Sequence, residues 1–189
     1  MSIRNLDSLF DPSSIAVIGA SLRPASVGAT VWRNLTSGLF KGTLYAVNPK
    51  HKMLEGREVV ARVADLPEVP SLAIICTPAA TVAGLIAELG KKGTRAAIVM
   101  TAGMDKAQMH AMLTAARTHV LRILGPNCIG LLAPHIGLNA SFAHIDALPG
   151  ELAFVSQSGA LVTAMLDWSQ GKVEAAEKGY QQAEKALVA

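Results

Sequence analysis

Ser14-Ile15-Ala16-Val17-Ile18-Gly19-Ala20-Ser21 is the stretch from which the rest of this chain can be read. Four apolar residues run straight into a glycine, and mostly small and polar residues follow as far as Gly28. An unbroken apolar run of this kind is how a strand buried on both faces reads, and the glycine marks a tight turn into a helix. Ser26 is placed to cap that helix, expected over Val27 to about Thr36, with Gly38 as a left-handed stop. Near the start of an α/β chain such a strand–turn–helix commonly cradles a phosphate, because unpaired backbone N–H groups and the helix dipole point at one spot.

The same pattern repeats downstream. Further strands are expected at Thr43–Val47, Leu72–Cys76, Arg95–Met100 and Val120–Ile123, with helices from Thr81 to about Lys91 and from Lys106 to Thr118. Ahead of them, Leu6, Leu9 and Phe10 suit a helical turn closed by Asp11-Pro12. Between Asn48 and Pro70 the sequence reads as a loop around Gly56 and a short helical turn. Strand and helix alternate with short connections, which argues for an α/β fold with a doubly wound parallel sheet. Ligands of such sheets bind outside the carboxyl ends of the strands. The tips Gly19–Gly28, Asn48–Lys50, Thr77–Ala79, Thr101–Gly103 and Asn127 should therefore gather on one edge and form the site.

Composition sets the class. The chain has 189 residues, 51% of them hydrophobic and only 4% aromatic, so its core is built of Ala, Val, Ile and Leu. Mean hydropathy is +0.36, yet no apolar run reaches the ~18 residues of a membrane span. The opening Met-Ser-Ile-Arg-Asn-Leu-Asp lacks the basic and apolar regions of a signal peptide. Cys76 and Cys128 lie in apolar surroundings without CxxC spacing, which suits a reduced, cytoplasmic protein and buried small residues rather than nucleophiles. The net charge of +3 fits an anionic ligand, but no Lys/Arg cluster marks a nucleic-acid surface. No His, Cys, Asp and Glu grouping has metal-ligand spacing.

A dinucleotide can be tested against the first turn. Its fingerprint needs G-x-G-x-x-G and an acid at the tip of the second strand, to bind a ribose hydroxyl. Here Gly19 is followed by no glycine until Gly28, and the second strand ends in Asn48-Pro49-Lys50. A lysine at that position suits an additional phosphate and leaves a free ribose diol without its acceptor. An NAD(P)-binding enzyme domain is therefore disfavoured.

Five motifs in order carry a resemblance: Ser14-Ile-Ala-Val-Ile-Gly-Ala-Ser21, Val47-Asn-Pro-Lys50, Cys76-Thr-Pro-Ala79, Gly125-Pro-Asn-Cys-Ile-Gly130 and Phe154-Val-Ser-Gln-Ser-Gly-Ala160. Together they are very similar to NDP-forming acyl-CoA synthetases, the superfamily of ADP-forming acetyl-CoA synthetase and the succinyl-CoA synthetase α-subunit, which includes forms fused to a protein lysine acetyltransferase domain. The likeness covers about residues 6 to 169. It implies a Rossmann-like, CoA-binding domain over residues 1–150 and coenzyme A or acyl-CoA as the bound cofactor. Carried over by position, Gly19, Ser21, Arg23, Ser26 and Gly28 fall near the CoA phosphates, and Asn48, Pro49 and Lys50 form the second tip, with Lys50 toward a phosphate. Thr77, Pro78, Thr101 and Gly103 fall along the adenine and pantetheine path, and Asn127 near the thioester end.

The resemblance also implies a partial second, flavodoxin-like unit. Residues 151–170 would supply its opening strand, Glu151–Val155, and helix, with Ser156-Gln157-Ser158-Gly159 at the helix start. In the family that helix start stabilises a phosphohistidine; taken alone, Ser156 and Ser158 read as caps. The family pattern ends near Trp168. Residues 171–189 read as a helical tail with an apolar stripe of Val173, Ala176, Tyr180, Ala183 and Leu187. None of His51, His110, His119, His135 and His144 corresponds to the phosphohistidine, and the family's grasp-type nucleotide module would have to come from elsewhere. No catalytic residue is assigned. The leading expectation is a truncated CoA-binding module incomplete for catalysis on its own. The alternative is a CoA-responsive regulatory or assembly subunit, for which an exposed second-domain fragment would favour a homodimer.

Overall fold

The structure is a computed structural model that describes residues 4–172; the apolar stripe expected from Val173 to Leu187 lies outside the described residues. The chain divides into two compact units, one ending at Phe142 and the other beginning at Ala143.

In the first unit a helical turn, α1 (Asp7–Phe10), precedes β1 (Ser14–Ile18), every residue of which is buried. There follow α2 (Val27–Ser37), β2 (Thr43–Val47), β3 (Met53–Leu54), β4 (Arg57–Val60), β5 (Leu72–Ile75), α3 (Ala79–Lys92), β6 (Ala96–Val99), α4 (Lys106–Thr118) and β7 (Arg122–Leu124). The strands form one seven-stranded sheet in the order β3-β4-β2-β1-β5-β6-β7. All its pairings are parallel except β3 with β4. The Rossmann-like, doubly wound α/β architecture is thus the one expected. A separate antiparallel hairpin, β8 (Gly130–Ala133) and β9 (Leu138–Ser141), completes the unit.

Both faces of the sheet are covered, which explains the apolar runs. On one face Ile15 and Val17 of β1, Leu72 and Ile74 of β5 and Ala96 and Ile98 of β6 pack with Val31, Trp32 and Leu35 of α2 and with Leu138 and Ala140 of β9. The alternate residues, Ala16, Ile18, Ala73, Ile75, Ala97 and Val99, pack with Val82, Ile86 and Leu89 of α3 and Met112 of α4. The period of two puts successive side chains into different cores, so neither parity can be polar.

Several boundaries differ from the sequence reading, each for a local reason. The loop around Gly56 is a β-hairpin: Glu55 and Gly56 both have positive φ, at 48° and 76°, the pair of angles a two-residue primed turn demands. The last strand begins at Arg122 rather than Val120, because Val120 terminates α4. Its φ is 55°, its N–H donates to the Arg117 carbonyl and the Leu121 N–H to the Ala116 carbonyl, so the helix stop consumes both residues. Gly38 does end α2 but is extended, with φ −77° and ψ 180°, rather than left-handed.

In the second unit, residues 159–172 are helical and start where expected. The strand expected at Glu151–Val155 does not form; residues 152–156 carry no regular structure. A strand exists only by pairing, and among the described residues none pairs with this segment. His144 and Asp167 meet at 2.8 Å, and Gln170 donates to the Asp146 carbonyl, tying the start of the unit to its helix.

Among the glycines described, the closest approach is where α2 meets the end of β1. A Cβ added to Gly28 would fall 2.0 Å from the Gly19 carbonyl oxygen. Gly28→Ala is expected to destabilise the fold by about 3 kcal/mol in urea unfolding. Gly84→Ala, on an α3 face with nothing within 4 Å, is expected to stabilise it by about 0.5–1 kcal/mol.

Candidate functional site

The strand order reverses at β1, with β2 on one side and β5 on the other. The crevice between β1 and β5 at their carboxyl ends is the switch point where doubly wound sheets bind ligands. The expected tips all emerge on that edge: Gly19–Gly28 after β1, Asn48–Lys50 after β2, Thr77 and Pro78 after β5, Thr101 and Gly103 after β6, and Asn127 after β7.

Gly19 turns the chain with φ at 91°, its N–H donating to the Val47 carbonyl at 2.8 Å. A Cβ there would lie 3.0 Å from the Cys76 carbonyl oxygen, so the turn also abuts the β5 tip. The loop beyond is shaped by its serines. Ser21 Oγ accepts the Arg23 N–H at 2.9 Å, and Ser26 Oγ donates to the Arg23 carbonyl at 2.8 Å. Ser26 also caps α2 by accepting the Ala29 N–H at 3.3 Å, as the sequence suggested. No acidic residue stands in the first turn of α2, so the positive end of its dipole faces the edge without an internal counter-charge. The contrast with α4 is direct: Asp105 and Gln108 close a capping box there and occupy the helix start.

The remaining tips are stitched to one another. Asn48 Nδ2 donates to the Ala20 carbonyl at 2.8 Å, and Asn48 Oδ1 accepts the Lys50 N–H at 2.9 Å. Thr101 Oγ1 donates to the Thr77 carbonyl at 2.8 Å, and the Asn127 N–H, on a residue with φ 55°, donates to the Thr101 carbonyl at 3.1 Å. Thr77 and Thr81 share a hydroxyl hydrogen bond of 2.8 Å; sequence reasoning missed Thr81, although a Thr-Pro-x-x-Thr spacing at a helix start was there to be read. Arg23, Pro49, Lys50, Pro78 and Gly103 are exposed on the edge. In the second unit, Ser158 Oγ accepts the Leu161 N–H at 3.3 Å and caps the helix, while Ser156 Oγ accepts the Ser158 N–H at 3.0 Å in the turn before it.

An open cleft of about 480 Å³ lies at the opposite end of the sheet, lined by Arg4, Asn5, Leu113, Arg117, Val120 and Arg122 among others. It holds none of the expected residues and sits where strands begin, away from the switch point. The topology favours the carboxyl-end edge over it. Among the described residues no group of three His, Cys, Asp or Glu could hold a metal. The edge offers an anion the amides of the α2 start, hydroxyls and two exposed cations, Arg23 and Lys50.

The thiols nearest the edge are not activated. Burial pushes Cys76 up to about 12, with the neighbouring Cys128 adding to the rise. Burial also pushes Cys128 up, and its Sγ donates toward the Val99 and Leu124 carbonyls.

Comparison with known proteins shows the family. A family model described as a CoA binding domain matches residues 13–134, and the chain belongs to that family. The ADP-forming acetate–CoA ligase I of Archaeoglobus fulgidus is 37% identical over 171 residues, covering 87% of this chain and 25% of that protein. The α subunit of ADP-forming acetate–CoA ligase I from Pyrococcus furiosus is 37% identical over 175 residues, covering 87% of this chain and 38% of the subunit. Among solved structures, an acetyl-coenzyme A synthetase 1 from Ca. Korarchaeum cryptofilum, in complex with phosphate and ADP, superposes with a TM-score of 0.82 at 40% identity. That match covers 87% of this chain and 36% of the other. The chain thus spans 25% and 38% of the lengths of these two curated relatives. It is the counterpart of the CoA-binding domain of ADP-forming acyl-CoA synthetases.

The thiol environment has a measurable consequence. With Cys76 near 12, only about one thiol in ten thousand is ionised at pH 8, so iodoacetamide should label the folded chain far more slowly than the urea-unfolded one. An unfolded thiol titrates near ~8.5, below the folded value, so the contribution to stability is whole below that pH and is lost as pH rises toward 12. The urea midpoint should fall between pH 8 and pH 10, and fall less in Cys76→Ala.

Proposed function

We propose that this chain binds coenzyme A or an acyl-CoA across the carboxyl-end edge of its sheet, as the CoA-binding portion of an NDP-forming acyl-CoA synthetase. The observation that carries the reading is the pairing of two features at the switch point. The α2 N-terminus meets the edge without an acid in its first turn, and the β2 tip presents Lys50 where a dinucleotide site would present a carboxylate. A phosphate on the helix start and another at Lys50 would suit a ligand carrying a pyrophosphate and a separate phosphate. Ser21, Arg23, Ser26 and the Thr77–Thr101 tips would line the path between them.

The chain's own residues supply binding and orientation. The acid-CoA ligation itself would need a phosphohistidine and a nucleotide-binding, grasp-type module, provided by further sequence or by a partner subunit; one relative's name includes the word subunit. The same reading puts the protein in the cytoplasm, supported by two unpaired thiols and, among the described residues, no helix long and apolar enough to cross a membrane.

A second reading, a CoA-responsive regulatory or assembly subunit, is favoured by the second unit. Leu152 is 93% and Val155 94% exposed, and Leu161 and Trp168 are more than half exposed. Such apolar surface suits a partner chain or a second copy. Sizing in solution with and without CoA tests this: a change of mass on adding CoA supports it, and an unchanged monomer removes it.

Thermal unfolding tests the principal reading. CoA and acetyl-CoA at a hundred times their Kd should stabilise the chain by about 2.7 kcal/mol, while NAD and ADP should do much less. Absence of any shift with CoA species would overturn it. Lys50→Ala is expected to weaken CoA about ten-fold more than dephospho-CoA, as loss of one charge-assisted phosphate contact would.

A further inference from the structure

Asn48 stands at the tip of β2, in the position from which a ligand contact was expected, yet its hydrogen-bonding groups are engaged within the protein. Its N–H donates to the Val60 carbonyl of β4 at 2.9 Å, and its carbonyl accepts the His51 N–H at 3.4 Å. Its side chain spans two tips: Nδ2 donates to the Ala20 carbonyl and Oδ1 accepts the Lys50 N–H. The amide orientation follows from these partners, since a flipped amide would set oxygen against the Ala20 carbonyl and NH₂ against the Lys50 N–H. Ala20 is wholly buried, so its carbonyl is shielded from water and Asn48 is a donor it meets there. Pro49 stiffens the arrangement by disfavouring a helical backbone at the residue before it.

We propose that Asn48 is a positioning residue: it locks the backbone under Lys50 to the end of β1, so that the lysine and the Gly19–Ser21 turn present themselves to one ligand at a set separation. Alanine can neither form the turn that aims Lys50 nor hold Ala20, and serine can form only the turn. The inference rests on the reading of this edge as a CoA site with Lys50 toward a phosphate.

Calorimetric titration of CoA and dephospho-CoA into the wild type, Lys50→Ala, Asn48→Ala and the double variant tests it. The wild type should prefer CoA by about ten-fold, and Lys50→Ala should abolish that preference. Asn48→Ala should abolish most of it, and adding Lys50→Ala to Asn48→Ala should cost CoA less than two-fold further. Loss of CoA and dephospho-CoA affinity in equal measure in Asn48→Ala, with additive effects in the double variant, would overturn the positioning role. If Lys50→Ala leaves the preference intact, the phosphate reading of Lys50 falls and the positioning role falls with it. Far-ultraviolet circular dichroism checks that each variant folds. If Asn48→Ala does not fold, Asn48→Ser, which keeps the turn but loses the bond to Ala20, takes its place: the preference for CoA should then fall part-way, to about three-fold, and an unchanged preference would overturn the positioning role.

Discussion

The contact on which the molecule depends is the near-collision of three backbones at the end of β1. Gly19 bends away with positive φ against the Cys76 carbonyl, and Gly28 lets the first turn of α2 come down onto the Gly19 carbonyl. A Cβ has no room at Gly28, and at Gly19 both the 3.0 Å contact and the positive φ oppose one. That closeness sets the start of α2 beside the crevice between β1 and β5, where the sheet reverses direction. The helix dipole could act on a ligand at that crevice only because this packing brings it there.

Around that point, the other tips are fastened by a small number of polar side chains rather than by regular structure. Asn48 joins the β1, β2 and β4 ends, and Thr101 joins those of β5, β6 and the loop after β7. Polar residues that look like ligand contacts in the sequence divide into two groups in the structure. Some, such as Arg23 and Lys50, remain exposed on the edge, while others spend their hydrogen bonds holding it in shape. The two cysteines beneath the edge contribute bulk, and their raised titration makes them inert.

Much of this was legible beforehand. The strand Thr43–Val47 and the helix Lys106–Thr118 fall at the expected residues, because each is bounded by strong local signals: Asn48-Pro49 at one end, and an Asp105 cap at the other. The hairpin at Glu55-Gly56 and the left-handed Val120 were not legible. A glutamate or a β-branched valine at positive φ contradicts its own preference, and only surrounding hydrogen bonds hold it there. The segment Glu151–Val155 failed in the opposite sense: its residues suit a strand, but a strand needs a neighbour.

The sequence by itself determined the doubly wound class, the edge on which the tips gather and the replacement of an acid by Lys50. All three follow from short-range patterns: apolar runs, glycine turns and the residue at each strand end. Tertiary structure alone decided which of those tip residues stay exposed and which brace the edge. That division depends on whether a side chain's partner is water or a carbonyl 28 residues away, as Asn48 and Ala20 are, and such a partner exists only once the strands are side by side.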